Sequence, residues 1–198
     1  PAPSPAGGSA NGGRRPGPRC IAIVGPFQSG KTTLLVSILE RCGGLSRAGS
    51  VKTGNSIGDA GAEARAHQMS TDPNVASVEF LGERFHFIDC PGSVEFLHEM
   101  RHVLPVVDAA VVVCEADDRK APALELVLRE LEEADIPRFL VLNKIDTATR
   151  RVRETLAILQ RASRTPLLLR QIPIWQKGIA IGFIDLALER SFIYREHA

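Results

Sequence analysis

Gly25-Pro26-Phe27-Gln28-Ser29-Gly30-Lys31-Thr32 is the stretch that decides how this chain is read. It follows directly on the apolar run Cys20-Ile21-Ala22-Ile23-Val24. It opens the helical pattern Thr33-Leu34-Leu35-Val36-Ser37-Ile38-Leu39. Strand, glycine-rich loop and helix in that order are the context of a phosphate-binding P-loop. Backbone N–H groups of the loop, at Gln28 and Ser29, and of the first helical turn, through Thr33, point inward at an anion. Gly25 and Gly30 allow backbone angles and a close approach that a Cβ would block. Lys31 is placed to reach the terminal phosphates, and the Thr32 hydroxyl to ligate Mg²⁺. The plain alternative is a glycine-rich strand-to-helix turn that binds nothing.

Two further elements bear on the base. Arg84-Phe85-His86-Phe87-Ile88-Asp89 reads as a strand running into Asp89-Cys90-Pro91-Gly92. An acid at a strand end can hold Mg²⁺ through water. The N–H of Gly92 can meet a γ-phosphate, which would make the following segment nucleotide-sensitive. Phe139-Leu140-Val141-Leu142 reads as a buried strand ending in Asn143-Lys144-Ile145-Asp146. Asp146 can accept both the N1–H and the 2-amino group of guanine. Adenine lacks that donor pair and would leave the carboxylate unpaired. Asn143 ties loops together, and the Lys144 stem covers the base. A four-residue match by itself is equally a polar strand-end turn. Three elements in this order, each at a strand end, point to a guanine-nucleotide site.

Composition sets the outer bounds. The chain has 198 residues, enough for one domain with a core, and is 44% hydrophobic and 24% charged. It has no apolar run of transmembrane length and no charged-then-apolar start of a signal peptide. Cys20, Cys42, Cys90 and Cys114 show no metal-ligand spacing and read as free thiols of a reducing cytosol. Residues 1–19 carry Arg14, Arg15 and Arg19 and no acid, leaving 21 basic against 23 acidic residues in the remainder. The globular part is therefore not a basic nucleic-acid binder by charge.

Residues 1–19, rich in Pro, Gly, Ala and Arg, are expected to be a disordered tail, with a basic arm as the alternative. The predicted elements are a strand at 20–24, a helix at 31–42, and a long polar loop over 45–73 with a short helix at 63–69. Strands at 76–81 and 84–88 follow, joined as a hairpin through Gly82-Glu83. A helix is expected at 94–103, a strand at 109–114 and a helix at 122–134 with Leu124, Val127, Leu128 and Leu131 on its apolar face. A strand at 139–142 and a basic amphipathic helix at 150–161 complete the series. Alternating βα units give an α/β, three-layer, mostly parallel sheet with one antiparallel hairpin strand and ligands at the strands' carboxyl ends. The expected division is a tail at 1–19, a P-loop domain at 20–164 and, from 165 to 198, the start of a β-rich insertion. That last stretch reads as strands at Leu167-Leu168-Leu169 and Gln171–Trp175, a turn at Gln176-Lys177-Gly178, and extended runs at 179–188 and 192–194.

With these elements placed, the chain resembles the GTP-binding domain of translation elongation factor G and, more closely, elongation factor G-like paralogues. The resemblance runs from about Arg19 to the last residue. It rests on Gly25 to Thr32, Asp89-Cys90-Pro91-Gly92 and Asn143-Lys144-Ile145-Asp146. It rests also on Leu168-Leu169-Arg170-Gln171-Ile172-Pro173-Ile174 with Gly182-Phe183-Ile184-Asp185-Leu186, which looks like entry into the subdomain this family inserts. The resemblance implies a three-layer P-loop GTPase fold, binding of GTP and GDP with Mg²⁺, and ribosome-stimulated hydrolysis. It also implies a cytoplasmic monomer that works with the ribosome in elongation or recycling, without membrane or sequence-specific DNA partners. No match to the family's fifth guanine-contact element follows; Arg161-Ala162-Ser163 falls too early and on no strand. The chain, which begins with Pro1, is expected to be the amino-terminal part of a longer factor.

The departures from the family pattern share one direction. Ser93 stands where the family usually has the His that positions water, Gln28 where it has Asp, and Pro26 where it has His. The first-switch positions matching the family's Arg-Gly-Ile-Thr are His67-Gln68-Met69-Ser70, so Ser70 or its neighbour Thr71 would supply the metal-binding hydroxyl. Groups that hold nucleotide are kept, and groups that help break the γ-phosphate bond are changed. The expectation is Mg²⁺-dependent binding with slow hydrolysis, in which Lys31 and Ser93 carry what catalysis remains. The alternative is a GTP-sensing binding switch with negligible turnover. His98 and His102 stand five and nine residues beyond Ser93 and read as ordinary helix histidines.

Overall fold

The computed structural model describes residues 19–43, 73–147 and 152–194. The tail, the 45–73 loop with its expected short helix, Ser70 and Thr71 fall on residues outside these, save Arg19, which opens the first strand, and Pro73. Five strands make the main sheet: β1 (Arg19–Val24), β2 (Asn74–Phe80), β3 (Glu83–Asp89), β4 (Ala109–Cys114) and β5 (Arg138–Leu142), in the order β2-β3-β1-β4-β5. β1 runs parallel to β3 and β4, β4 runs parallel to β5, and only β2 is antiparallel, to β3. The mostly parallel sheet with one antiparallel hairpin strand is as expected.

The alternation of side chains along β1 builds the layers. Ala22 and Val24 face one side, where they join Met100, Val112, Leu124, Leu128 and Leu131. Ile23 faces the other, with Leu35, Leu39, Phe87 and Val113. Helices α2 (Leu97–Val103), α3 (Ala121–Glu133) and α4 (Val152–Ala162) therefore cover one face, and α1 (Lys31–Arg41) covers the opposite one. The predicted apolar face of α3 is buried as expected. β1 and β4, central in the sheet, carry buried residues on both faces and so read as continuous apolar runs, whereas β5, expected to be a buried strand, lies at the sheet edge with Phe139 68% exposed and none of its residues fully buried. Because β1, β3, β4 and β5 point the same way, their carboxyl ends at Val24, Asp89, Cys114 and Leu142 lie along one edge. That common edge positions the site.

Three local expectations are corrected. The β2–β3 hairpin turns at Leu81-Gly82 rather than Gly82-Glu83. Both residues have positive φ (52° and 77°), the two-residue turn whose twist matches paired strands. The segment after Gly92 is not one helix. A 3₁₀ turn at Val94–Phe96 precedes α2, and another at Leu104–Val106 follows it. Leu167-Leu168-Leu169 is not a strand: the amide of Leu167 is taken by the Gln160 side chain at 2.8 Å, and no ladder forms. From Gln171 onward a separate antiparallel sheet forms from β6 (Gln171–Gln176), β7 (Ile179–Asp185) and β8 (Arg190–Ile193). α4 begins at Val152, so the first residues expected of the basic helix lie outside those described. All four cysteines are free, Cys90 and Cys114 buried and Cys20 and Cys42 half-buried. Among the described residues no helix is long and apolar enough to cross a membrane.

Candidate functional site

The loop between β1 and α1 folds as a cradle. Gly25 (φ 141°) lies against the backbone carbonyl of Val113 on β4, and Gly30 (φ 96°) against the side-chain amide of Asn143. A Cβ at either position would collide with that neighbour, so glycine is required by the close approach as well as by φ. Gln28 also has positive φ (57°) and is exposed, whereas Ser29 is fully buried. The Ser29 N–H donates to the Pro26 carbonyl at 3.2 Å, closing the turn. Gly30 caps α1 without a side-chain acceptor. The first-turn N–H groups, Thr33 included, thus face the loop mouth with no capping oxygen, the arrangement that receives an anion.

Lys31 is buried at 8% exposure and folds back over the loop. Its Nζ donates to the carbonyls of Gly25 and Pro26, each at 3.1 Å. Burial pushes the ammonium down to about 8, against the opposing pull of Asp89. Gly92 sits beside this ammonium so closely that a Cβ there would meet Nζ. The loop after β3 and the P-loop therefore converge on the Lys31 amine.

Thr32 and Asp89 meet across the sheet edge. The Thr32 hydroxyl donates to Asp89 Oδ2 at 2.5 Å. Asp89 is 1% exposed, and its other oxygen, Oδ1, has no hydrogen-bond partner among the described residues. Burial pushes its carboxyl pKa up, while the Thr32 hydrogen bond and the Lys31 charge work the other way. A hydroxyl beside a carboxylate with one unused buried oxygen is a hard-oxygen donor pair that fits Mg²⁺.

Asn143 and Lys144, at the end of β5, reach the same loop. Asn143 Nδ2 donates to the Ser29 carbonyl at 2.8 Å, and Lys144 Nζ to the Gln28 carbonyl at 2.7 Å. Lys144 holds a positive φ of 54°. Asp146 lies exposed in the 3₁₀ turn Ile145–Thr147 just beyond. The Ser93 hydroxyl donates to Glu95 Oε2 at 3.1 Å. His98 and His102 are exposed on α2 and stand edge to face with each other, and His98 pairs with Glu99.

The structure thus joins Gly25, Gln28, Ser29, Gly30, Lys31, Thr32, Asp89, Gly92, Asn143 and Lys144 around one loop. It also shows a residue that the sequence reading missed. Glu115, one position beyond β4, accepts from Lys120 Nζ at 2.6 Å and from Lys144 Nζ at 3.0 Å. The signal was available: an acid directly after an apolar strand, as at Asp89.

Comparison with known proteins fits this geometry. The profile described as "Elongation factor Tu GTP binding domain" matches residues 18–181. The chain is 41% identical over 176 residues to an elongation factor G-like protein of Synechocystis sp., which covers 89% of this chain and 26% of that protein. It is 32% identical over 172 residues to an elongation factor G-like protein of Mycobacterium tuberculosis, covering 87% and 24%. It is 30% identical over 181 residues to elongation factor G 2 of Streptomyces coelicolor, covering 91% and 26%. A crystal structure of a Thermus thermophilus protein matches with a TM-score of 0.78 at 30% identity, covering 90% of this chain and 27% of that one. The chain spans about a quarter of the length of these relatives. With a family profile matched over most of its length, the chain belongs to the elongation factor Tu GTP binding domain family, and it is similar to elongation factor G-like proteins.

Proposed function

We propose that this chain binds GTP and GDP with Mg²⁺ and hydrolyses GTP slowly, as the nucleotide-binding part of a ribosome-associated factor. The observation that carries the reading is the cluster of Lys31, Thr32 and Asp89 at one loop mouth, with an ammonium, a hydroxyl and an unpartnered carboxylate oxygen within reach of each other.

Each group has a task. Loop and helix N–H groups hold the phosphates. Lys31 exchanges its two carbonyl partners for the terminal phosphates, where its charge counters the negative charge that develops during transfer. Thr32 and Asp89 would hold Mg²⁺, together with Ser70 from the first switch. The ion when bound neutralises phosphate charge and helps align the γ-phosphoryl group. Asp146 reads the guanine edge, while Asn143 and Lys144 fix the base-side wall to the P-loop.

Ser93 would position the attacking water. Its single proton is committed to Glu95, so its oxygen is left to accept from water. A hydroxyl is shorter than an imidazole and carries no charge, which supports slow turnover. This departure also favours a second reading, a GTP-sensing switch with negligible hydrolysis, whose bound state controls a partner.

Single-turnover GTP hydrolysis, with and without ribosomes and with binding measured separately, tests both. Mg²⁺-dependent binding with ribosome-accelerated turnover is expected. Tight binding with a flat, ribosome-independent trickle would leave the switch. Absence of guanine-nucleotide binding would overturn both readings.

A further inference from the structure

Glu115 lies beside the P-loop, lining one small pocket together with Pro26. It follows β4, and Gly25 of the loop packs against the carbonyl of Val113, two residues earlier. Its side chain is 15% exposed and receives two ammonium groups, Lys120 Nζ at 2.6 Å and Lys144 Nζ at 3.0 Å. Burial works to raise its carboxyl pKa, yet the two lysine hydrogen bonds hold it below the ordinary value, as a carboxylate. Lys144 Nζ also donates to the Gln28 carbonyl at 2.7 Å. The Lys144 amine is thus held between a loop carbonyl and a fixed anion, with its backbone at positive φ.

A lysine on a flexible four-carbon stem loses rotamer freedom when it is pinned. The Gln28 carbonyl offers the ammonium a hydrogen bond, whereas the Glu115 carboxylate adds the attraction of a full opposite charge to its own. Lys120 competes for the same carboxylate. It comes from the 3₁₀ turn Asp118–Lys120 that leads into α3, and its charge is felt at Lys31, where it lowers the ammonium's pKa. Glu115 therefore holds one lysine on the base side and offsets another that stands near the phosphate side.

We infer that Glu115 is a positioning residue of the nucleotide site: through its ion pair it holds Lys144 against the Gln28 carbonyl and so fixes the wall over which the base lies. The inference rests on the proposed function of guanine-nucleotide binding. Glu115 touches no nucleotide in this scheme and acts only through Lys144. Nucleotide residence should therefore depend on the carboxylate as long as the Lys144 amine is present, and not otherwise. GDP and GTP should be affected alike, because the contact lies on the base side.

The experiment is a double-mutant cycle on the release rate of a fluorescent N-methylanthraniloyl GDP, read by stopped flow, with thermal melts alongside. Glu115→Gln should speed release about fivefold to tenfold, the range of one charge-assisted hydrogen bond partly backed by another. In a Lys144→Ala background the same change should alter release less than about twofold. Glu115→Asp keeps the charge and should recover part of the wild-type rate. It also keeps the cycle readable if Glu115→Gln melts too low. Lys120→Met frees the carboxylate for Lys144 and should slow release. Equal acceleration by Glu115→Gln with and without the Lys144 amine, or faster release by Lys120→Met, would overturn the inference while leaving nucleotide binding intact. A wild-type protein that binds no guanine nucleotide would overturn the proposed function itself, and with it the inference.

Discussion

Asn143 donates its Nδ2–H to the Ser29 carbonyl at 2.8 Å, joining the end of β5 to the P-loop across 114 residues of sequence. The same amide stands against Gly30, where a Cβ would strike it. One side chain thereby fixes both the conformation of the loop and the reason for its second glycine.

Asn143→Ala should cost about 1–2 kcal/mol of stability, because it leaves the Ser29 carbonyl without its donor in a partly buried setting. Urea unfolding of the nucleotide-free protein measures this. Release of bound GDP should quicken in the same variant, since the loop loses its tie.

Gly25→Ala and Gly92→Ala should separate fold from binding. At Gly25 the new Cβ meets the backbone of Val113 at a φ of 141°, so neither side can give. A loss of about 2 kcal/mol or more is expected in thermal or urea unfolding. At Gly92 the first atom met is the far end of Lys31, which can swing aside, and the backbone carbonyls of Pro26 and Gly25, 3.0 and 3.1 Å from the new Cβ, need give by only a few tenths of an ångström. That variant should melt close to wild type yet bind GDP about tenfold more weakly, a difference of about 1.4 kcal/mol.

Thr32→Ala with metal removal tests the donor pair. Chelating Mg²⁺ should speed GDP release strongly in the wild type. In the variant, which keeps Asp89 but lacks the hydroxyl bonded to it, chelation should have little further effect. An equal response in both proteins would remove Thr32 from the metal site.

Lys31 and two thiols give the nucleotide-free protein an alkaline signature. Burial lowers Lys31 from 10.5 to about 8, so between these values the unfolded chain holds a proton that the folded protein has shed. Stability from this group therefore rises with pH across that window. Cys90 and Cys114 are pushed by burial from 9.0 to about 12, so the unfolded thiols ionise first and their contribution falls above 9. Urea unfolding should show a rise from pH 8 to 9 and a decline beyond. Lys31→Met should abolish the rise and keep the decline. Phosphate binding favours charged Lys31, so GDP affinity should fall as pH climbs through 8, with proton uptake visible by calorimetry in buffers of different ionisation enthalpy.

The Arg101–Glu130 pair should matter in the opposite pH range. Arg101 on α2 donates to both oxygens of Glu130 on α3, each bond 2.6 Å long, and Glu130 is 6% exposed. The hydrogen bonds from Arg101 hold the Glu130 carboxyl pKa below its ordinary value against the upward push of burial. This stabilisation is present above the unfolded glutamate pKa and is lost as pH falls through the folded one. Arg101→Met should lower the melting temperature near neutrality and narrow the gap to wild type on acidification.

By itself the sequence determined most of the elements of the main sheet and the motifs that are continuous in it. The P-loop needs two spaced glycines, a lysine and a hydroxyl within one short run between a strand and a helix, so Gly25 to Thr32 was legible as written. The placement of Asp89, Asn143 and Lys144 beside the loop was legible because each ends an apolar run, and parallel strands place such ends on one edge. The apolar stripe of α3 fixed which of its faces turns inward.

What the tertiary structure alone decided are relations between residues far apart in the chain. Strand order set Thr32 against Asp89, Gly92 against the Lys31 amine and Gly25 against Val113, and no local pattern contains those pairs. The Leu81-Gly82 turn depended on strand twist, and the failure of Leu167-Leu168-Leu169 to form a strand depended on Gln160 taking its amide. Glu115 shows the difference most plainly. As a letter it is an acid after a strand; its two lysine partners come from separate turns, and only the packing of β4 and β5 beside the P-loop brings those charges together.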